Sequence, residues 1–126
     1  MVGIVIVSHS KKLAEGAAEL AALMAPNAGI AAAGGMEDGG FGTSFEKIRA
    51  AVQSVYSEDG VVILMDMGSA VMTAEMVVET FEGKPVKMAD CPLVEGAVAA
   101  AVDAAGGMDL EAILEDLSRT AAAKKF

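Results

Sequence analysis

The sequence predicts an α/β fold in which a mostly parallel, open sheet is flanked by helices on both faces. Strand-like and helix-like apolar patterns alternate four times along the 126 residues, the order expected of parallel strands joined by helical crossovers. Two strand candidates, residues 2–7 and 61–65, are almost wholly apolar, as in strands covered on both faces. The length suits one compact core, so we expect residues 1–126 to form a single domain.

The first half of the chain predicts two strands and two helices. The strand over residues 2–7 leads into a helix that stops at residues 26–29 (PNAG), and its apolar residues recur at helical spacing: Leu13, Ala17, Leu20, Ala21 and Met24. A short, weak strand follows at residues 30–33. Residues 43–46 (TSFE) have the spacing of a capping box and begin a second helix, whose apolar face is formed by Phe45, Ile48, Val52 and Val55.

The third helix follows the strand over residues 61–65. Ser69 is a candidate N-cap, and the helix ends near Phe81. This helix is apolar nearly all round: it offers one set of side chains to the sheet (Val71, Ala74 and Val78) and a second set in another direction (Met72 and Met76). Because a helix that is apolar on two faces needs two partners, we expect a subunit interface here, with a thick Met-rich core as the alternative.

The last third of the chain repeats the strand and helix order. Residues 86–89 predict a short strand, and Pro92 suits the first turn of a helix that runs to about Ala105. Asp109 then caps a terminal helix over residues 109–123, and residues 124–125, both lysines, lie near its negative end.

Composition and charge exclude several classes of function. With 18 acidic and 9 basic residues the surface repels nucleic-acid backbones, so we expect no nucleic-acid partner and favour partners with basic surfaces. No stretch approaches the roughly 20 apolar residues that a membrane span needs. The chain enters a strand directly, without the pattern of a secretory signal, and its lone Cys91 excludes an intrachain disulfide. We therefore expect a cytoplasmic protein.

Several familiar chemistries are also missing from the motifs. The glycine-rich residues 34–44 lack the lysine of a P-loop and do not match the dinucleotide fingerprint. One histidine and one cysteine, far apart in sequence, argue against a zinc site, so we expect neither a metal nor a cofactor. Ser8 and Ser69 lack the G-x-S-x-G elbow of a hydrolase nucleophile.

Polar residues cluster where each predicted strand ends, at residues 8–10, 37–44, 66–69 and 90–91. In open parallel sheets, ligands bind beyond the carboxyl ends of the strands. His9, the only histidine, follows the first strand and Asp66 follows the third. If those two strands are neighbours, the two side chains leave the sheet at matching heights and can touch.

This pair has a clear chemical use. An aspartate that accepts the proton of one ring nitrogen leaves the other nitrogen free as a nucleophile, and it stabilises the positive ring that forms on reaction. Backbone amides at two helix starts offer donors suited to a phosphate: those of Gly42, Thr43 and Ser44, and those of Gly68, Ser69 and Ala70. In the alternative interpretation, His9 only caps a turn and Asp66 only ends a strand.

Three motifs in order, IVIVSHS, EDGGFGTSFEKI and VVILMDMGSAVMTAEM, resemble the phosphotransfer subunit of phosphoenolpyruvate-dependent dihydroxyacetone kinases. More distantly they are similar to mannose-type enzyme IIA domains of the sugar phosphotransferase system. The resemblance implies a mannose-type enzyme IIA-like fold. It also implies that His9 is the phosphorylated histidine, that Asp66 orients it, and that the loops around the phosphoryl group contain Gly42, Thr43, Ser44, Gly68 and Ser69.

The resemblance further implies partners. The donor would be the histidine-containing phosphocarrier protein, charged by enzyme I, and the acceptor would be ADP bound on the nucleotide-binding subunit of the kinase. The family is typically homodimeric. The nearest rival is a mannose-type enzyme IIA that passes phosphate to an enzyme IIB.

Two rivals belong to other classes. A receiver-like signalling domain would use Asp66 as its phosphate acceptor, but the acidic pair and the lysine that receivers need are absent at residues 8–10 and 89–92. A plain interaction module would leave His9 unused.

Overall fold

The protein is a four-stranded, all-parallel sheet flanked by five helices, and the computed structural model describes residues 1–126. The predicted α/β class is confirmed. In chain order the strands are β1 (Gly3–Ser8), β2 (Ile30–Gly34), β3 (Val61–Met65) and β4 (Val86–Ala89). The helices are α1 (Lys11–Met24), α2 (Phe45–Val55), α3 (Ser69–Thr80), α4 (Leu93–Ala105) and α5 (Leu110–Ser118), and a short 3₁₀ turn follows at Thr120–Ala122.

The strand order, β2-β1-β3-β4, places the first and third strands side by side at the centre of the sheet. Every residue of β1 and β3 is buried, which explains why both sequences are apolar up to the terminal Ser8 of β1. In the register of this pair Val7 lies opposite Met65, so Ser8 and Asp66 follow at the same height. This register is what brings the two polar strand ends together.

The two faces of the sheet bury separate cores because successive side chains of a strand point to opposite sides. Ile4, Ile6 and Leu64 face α1, α4 and α5, while Val5 and Val7 face α2 and α3. Helices α1 and α4 meet the first core largely through small residues, which allow a close approach: Ala14, Ala17, Ala21, Ala97, Ala100, Ala101 and Ala104. Burial of each large aliphatic side chain in these cores contributes about 1.5–3 kcal/mol to the free energy of folding.

Glycine at the end of β2 lets the start of α1 lie against the sheet. A Cβ built on Gly34 would stand 2.6 Å from the carbonyl oxygen of Ser10 and 2.7 Å from the Cα of Lys11. No side chain fits there without moving the backbone that follows His9. The turn between β1 and α1 therefore depends on this glycine for its position.

The two predicted helix caps near the site are each wrong by one residue. The N-cap of α2 is Ser44, whose hydroxyl accepts the amide of Lys47 at 3.2 Å, so the expected capping box on Thr43 does not form. The N-cap of α3 is Gly68, and Ser69 is its first helical residue. In both cases the predicted capping hydroxyl is bonded to another side chain instead.

The buried face of α3 also differs from the prediction. Its fully buried residues are Ala70, Ala74 and Val77, whereas Val71, expected to face the sheet, is 39% exposed. Two alanines on the inner face let the helix lie closer to β3 than a row of valines would. Met72 and Met76 point to solvent, 70% and 55% exposed, so the second apolar face is present and uncovered within one chain.

The terminal helix is shorter than predicted. Asp109 caps α5 as expected, accepting the amide of Ala112 at 2.9 Å, but the α-helix ends at Ser118. Lys125 pairs with Glu95 at the start of α4, 2.9 Å away, and not with the carboxyl end of α5. None of the helices combines the length and the hydropathy that crossing a membrane requires.

Candidate active site

His9 lies in the turn between β1 and α1, and Asp66 lies directly after β3. Their side chains meet, with His9 Nδ1 3.0 Å from Asp66 Oδ1, as the adjacent strand ends led us to expect. The histidine side chain is 30% exposed and the aspartate 15%, so the ring stands at the rim while the carboxylate lies below it. The amide of Gly42 donates to the His9 carbonyl at 3.0 Å and holds the glycine-rich residues 34–44 against this turn.

The Asp66 carboxylate accepts hydrogen bonds on both oxygens. Oδ2 accepts the His9 amide at 3.0 Å and the Ser8 hydroxyl at 2.9 Å, while Oδ1 accepts the Met67 amide at 2.7 Å and the His9 ring. Burial raises the pKa of Asp66, but these hydrogen bonds together outweigh burial and hold the pKa below its ordinary value. The carboxylate is therefore ionised at neutral pH.

An ionised Asp66 determines the tautomer of the histidine. A carboxylate without a proton can only accept, so Nδ1 of His9 must carry the ring proton that joins them. The lone pair of the neutral ring then lies on Nε2, the nitrogen on the opposite side of the ring. Ser69 Oγ lies 2.9 Å from that nitrogen. The arrangement can therefore present Nε2 as a nucleophile while Asp66 balances the charge that develops on the ring.

Two of the six amides predicted as free donors are already used. The Gly42 amide bonds to the His9 carbonyl, and the Ala70 amide bonds to the Met67 carbonyl at 3.2 Å, because the first turn of α3 tightens there. The amides that have no acceptor within the chain belong to Thr43, Ser44, Gly68 and Ser69. They stand at the starts of α2 and α3, where the helix dipoles favour an anion.

The Ser44 hydroxyl is committed elsewhere. It donates to the Glu37 carboxylate and accepts the Lys47 amide, so only its backbone amide remains for a ligand. The hydrogen bond from Ser44 lowers the pKa of Glu37, which keeps that exposed carboxylate charged. The site is thus bordered by a negative charge on the side of the glycine-rich loop.

Sequence reasoning placed Ser8 in the cluster at residues 8–10 without giving it a role, and it missed Thr73. Ser8 is buried, donates to Asp66 and accepts the amide of Ser10 at 3.0 Å. A polar residue that ends a buried apolar strand was the signal for it. Thr73 Oγ1 lies 3.1 Å from Thr43 Oγ1, and its only signal was its position one helical turn after Ser69.

The fourth strand end does not join the site. Cys91 packs against α4, where a Cβ on Gly96 would stand 2.5 Å from its sulfur. Burial, with a smaller effect from Asp90, raises the pKa of this thiol to about 11, so it stays protonated at neutral pH. In this structure no group of three or more His, Cys, Asp or Glu residues is arranged to hold a metal ion.

Comparisons with known proteins agree with these motifs. A family model described as the PTS system fructose IIA component, EIIA-man, matches residues 3–114. The chain is 41% identical over 132 aligned positions to the "PEP-dependent dihydroxyacetone kinase, phosphoryl donor subunit DhaM" of Escherichia coli (strain K12), and the alignment covers 99% of this chain. It is 38% identical to the "PTS-dependent dihydroxyacetone kinase, phosphotransferase subunit DhaM" of Lactococcus lactis subsp. lactis (strain IL1403), covering 93% of this chain and 94% of that protein. The resemblance read from the motifs is confirmed.

Solved structures agree with the fold. One described as "unknown function protein EF1359" has a TM-score of 0.85 and 32% identity, covering 99% of this chain and 98% of the other. A sigma-54 interaction domain protein from Enterococcus faecalis has a TM-score of 0.74 at 22% identity, covering 93% of this chain and 87% of the other, and supports the fold alone. The chain spans 28% of the length of the Escherichia coli relative.

Proposed function

The chain belongs to the EIIA-man family, and on that premise we propose that residues 1–126 act as one phosphotransfer domain that carries a phosphoryl group on His9 within a dihydroxyacetone kinase. One observation carries the proposal: the single histidine has Nδ1 held by an ionised carboxylate 3.0 Å away and Nε2 directed to the rim. The names of the relatives, phosphoryl donor and phosphotransferase subunits, supply the reaction class.

The chemistry assigned to each residue follows from its contacts. Nε2 of His9 attacks phosphorus in line with the leaving group, and Asp66 holds the ring while its charge stabilises the cation that forms. The amides of Thr43, Ser44, Gly68 and Ser69 face the incoming dianion at two helix starts and stabilise its equatorial oxygens. Gly42 supports the site differently, because its amide holds the His9 backbone.

The phosphoryl donor in this proposal is the histidine-containing phosphocarrier protein, and the acceptor is ADP on the nucleotide-binding kinase subunit. The names of relatives that are 38–41% identical favour this acceptor over the enzyme IIB of a sugar transporter. A rim histidine with 30% of its side chain exposed permits the approach of both proteins. Such a carrier would work in the cytoplasm.

A homodimer is part of the proposal. Met72 and Met76 form an apolar strip on the outer face of α3, and nothing in a single chain covers it. A second copy of the chain would bury both residues. Sedimentation at micromolar concentration tests this part alone: a monomer contradicts it and leaves the chemistry of His9 untouched.

The decisive experiment is incubation with phosphoenolpyruvate, enzyme I and the phosphocarrier, followed by intact-mass measurement. We expect one added phosphoryl group that is labile in acid, and its loss in His9→Gln with folding intact by circular dichroism. Mixing the phosphorylated protein with the ADP-loaded subunit, or with an enzyme IIB, then identifies the acceptor. Phosphate on the His9→Gln variant, or an acid-stable phosphate, contradicts the proposal.

A further inference from the structure

Three hydroxyl groups form a connected chain beyond the nucleophilic nitrogen of His9. Ser69 Oγ lies 2.9 Å from Nε2, Thr43 Oγ1 lies 3.3 Å from Ser69 Oγ, and Thr73 Oγ1 lies 3.1 Å from Thr43 Oγ1. Thr73 Oγ1 also donates to the backbone carbonyl of Ser69, 2.9 Å away. The chain leads from the ring, through three side chains, to a carbonyl on the first turn of α3.

Counting protons gives this chain a direction. Each hydroxyl has one proton and can accept up to two hydrogen bonds. Thr73 spends its proton on the Ser69 carbonyl, so in its contact with Thr43 it can only accept. Thr43 must therefore spend its own proton on Thr73. Toward Ser69, Thr43 then presents a lone pair and no proton.

The Ser69 proton consequently has two possible acceptors. While the ring is neutral, the nearer one is the Nε2 lone pair, so the resting serine covers the nucleophile. The other is the Thr43 oxygen at 3.3 Å. The phosphorus atom must approach Nε2 along the direction in which the Ser69 hydroxyl now stands, so the serine has to turn away before the bond can form.

We propose that Thr73 is a positioning residue for phosphorylation, because by fixing the Thr43 proton it keeps an acceptor open for the Ser69 hydroxyl when Nε2 is uncovered. This inference rests on the proposed carrier function of His9. Thr73 contacts neither His9 nor the phosphoryl group in this scheme. Without its hydroxyl, the Thr43 proton turns toward Ser69 Oγ, and Ser69 is left with Nε2 as its only acceptor within the chain.

The transfer step balances with a small donor such as phosphoramidate, which reacts in its N-protonated form. The Nε2 lone pair forms the bond to phosphorus as the phosphorus–nitrogen bond of the donor breaks, and ammonia leaves. Nδ1 keeps its proton, and the positive ring faces Asp66. The Ser69 hydroxyl keeps its proton throughout. It only rotates, so that it donates to Thr43 Oγ1 instead of to Nε2.

The test measures the rate of His9 phosphorylation by phosphoramidate, with intact mass as the readout. Thr73→Val keeps the shape of the side chain and removes the hydroxyl. Thr73→Ala also removes the hydroxyl and has a higher helix propensity than valine, whereas Thr73→Ser keeps the hydroxyl. Thr80→Val is the matched control, since Thr80 also lies on α3 and donates to a backbone carbonyl, that of Val77, away from the ring. We expect rates about tenfold slower for the Val and Ala variants at Thr73, and rates within about twofold of the original protein for Thr73→Ser and Thr80→Val.

A second readout needs no phosphate and would not respond to a merely structural role. The ¹⁵N resonance of Nε2 reports how strongly the neutral ring accepts from Ser69. In Thr73→Val the Nε2 resonance should move further upfield, because Thr43 then donates to Ser69 and makes the Ser69 hydroxyl a stronger donor to Nε2. In Ser69→Ala the resonance should move downfield, because that donor is gone. If the original protein gains no phosphoryl group, the carrier function itself is refuted. Phosphorylation of Thr73→Val at the original rate, with an unmoved Nε2 resonance, would refute this inference alone.

Discussion

Replacement of Asp66 by asparagine tests how the site prepares its nucleophile. The carboxylate accepts from four donors: the amides of His9 and Met67, the Ser8 hydroxyl and the His9 ring. An asparagine has one oxygen and one NH₂ group, so in either orientation a backbone amide faces another donor. With the NH₂ group toward the ring, Nδ1 must become the acceptor, the proton moves to Nε2, and the nucleophilic lone pair is lost.

The magnitude follows from these contacts. With the oxygen toward the ring, the tautomer survives but the charge that balances the positive ring is gone. A hydrogen bond to a charged group is worth about 1.5–3 kcal/mol, which corresponds to a loss of roughly 10- to 150-fold in rate. The other orientation adds the energy of the wrong tautomer, so we expect a loss of at least about 10-fold, and a larger one if the NH₂ group faces the ring. One unsatisfied amide lowers the free energy of unfolding by about 1–3 kcal/mol.

The assay is single-turnover phosphorylation of His9 at pH 7.5, with urea unfolding at the same pH. Asp38→Asn is the matched control, because Asp38 is an exposed rim carboxylate that accepts only the Gly40 amide, at 2.8 Å. Since hydrogen bonding holds the pKa of Asp66 below its ordinary value, its contribution to stability is present above about pH 4 and disappears as pH falls through the lowered pKa. A transfer rate for Asp66→Asn within threefold of the original would refute this reasoning.

Three further predictions concern stability and assembly. Burial, with the neighbouring Asp116, raises the pKa of Asp103 to about 6, so its contribution to stability is full below about pH 4 and is lost as pH rises through 6. Urea unfolding should show Asp103→Asn to be more stable than the original by about 1 kcal/mol at pH 7.5, with no gain at pH 4. Gly68 has φ 58° and ψ −125° with open space around it, so Gly68→Ala should cost about 1–3 kcal/mol through backbone strain alone, measurable by thermal unfolding. Met72→Lys together with Met76→Lys should shift sedimentation toward the monomer without slowing phosphorylation of His9 by phosphoramidate, and an unchanged dimer would exclude this face as the interface.

The sequence predicted the elements well because the signals for them are local. Continuous apolar runs identified β1 and β3, and glycine, proline and asparagine residues marked where helices end. The caps near the site failed because a serine or threonine hydroxyl caps a helix only if no better partner lies nearby. For Thr43 and Ser69 those partners, Thr73 and His9, come from other parts of the chain.

The sequence by itself determined that a lone histidine and an aspartate each follow a buried strand, because strand length and burial are encoded in short apolar runs. Only the tertiary structure decided that β1 and β3 are neighbours in a register that joins His9 to Asp66 at 3.0 Å. It also decided which amides remain free and how Thr73 connects to the ring. Hydrogen-bonding groups have more possible partners than they can use, and only packing in three dimensions selects among them.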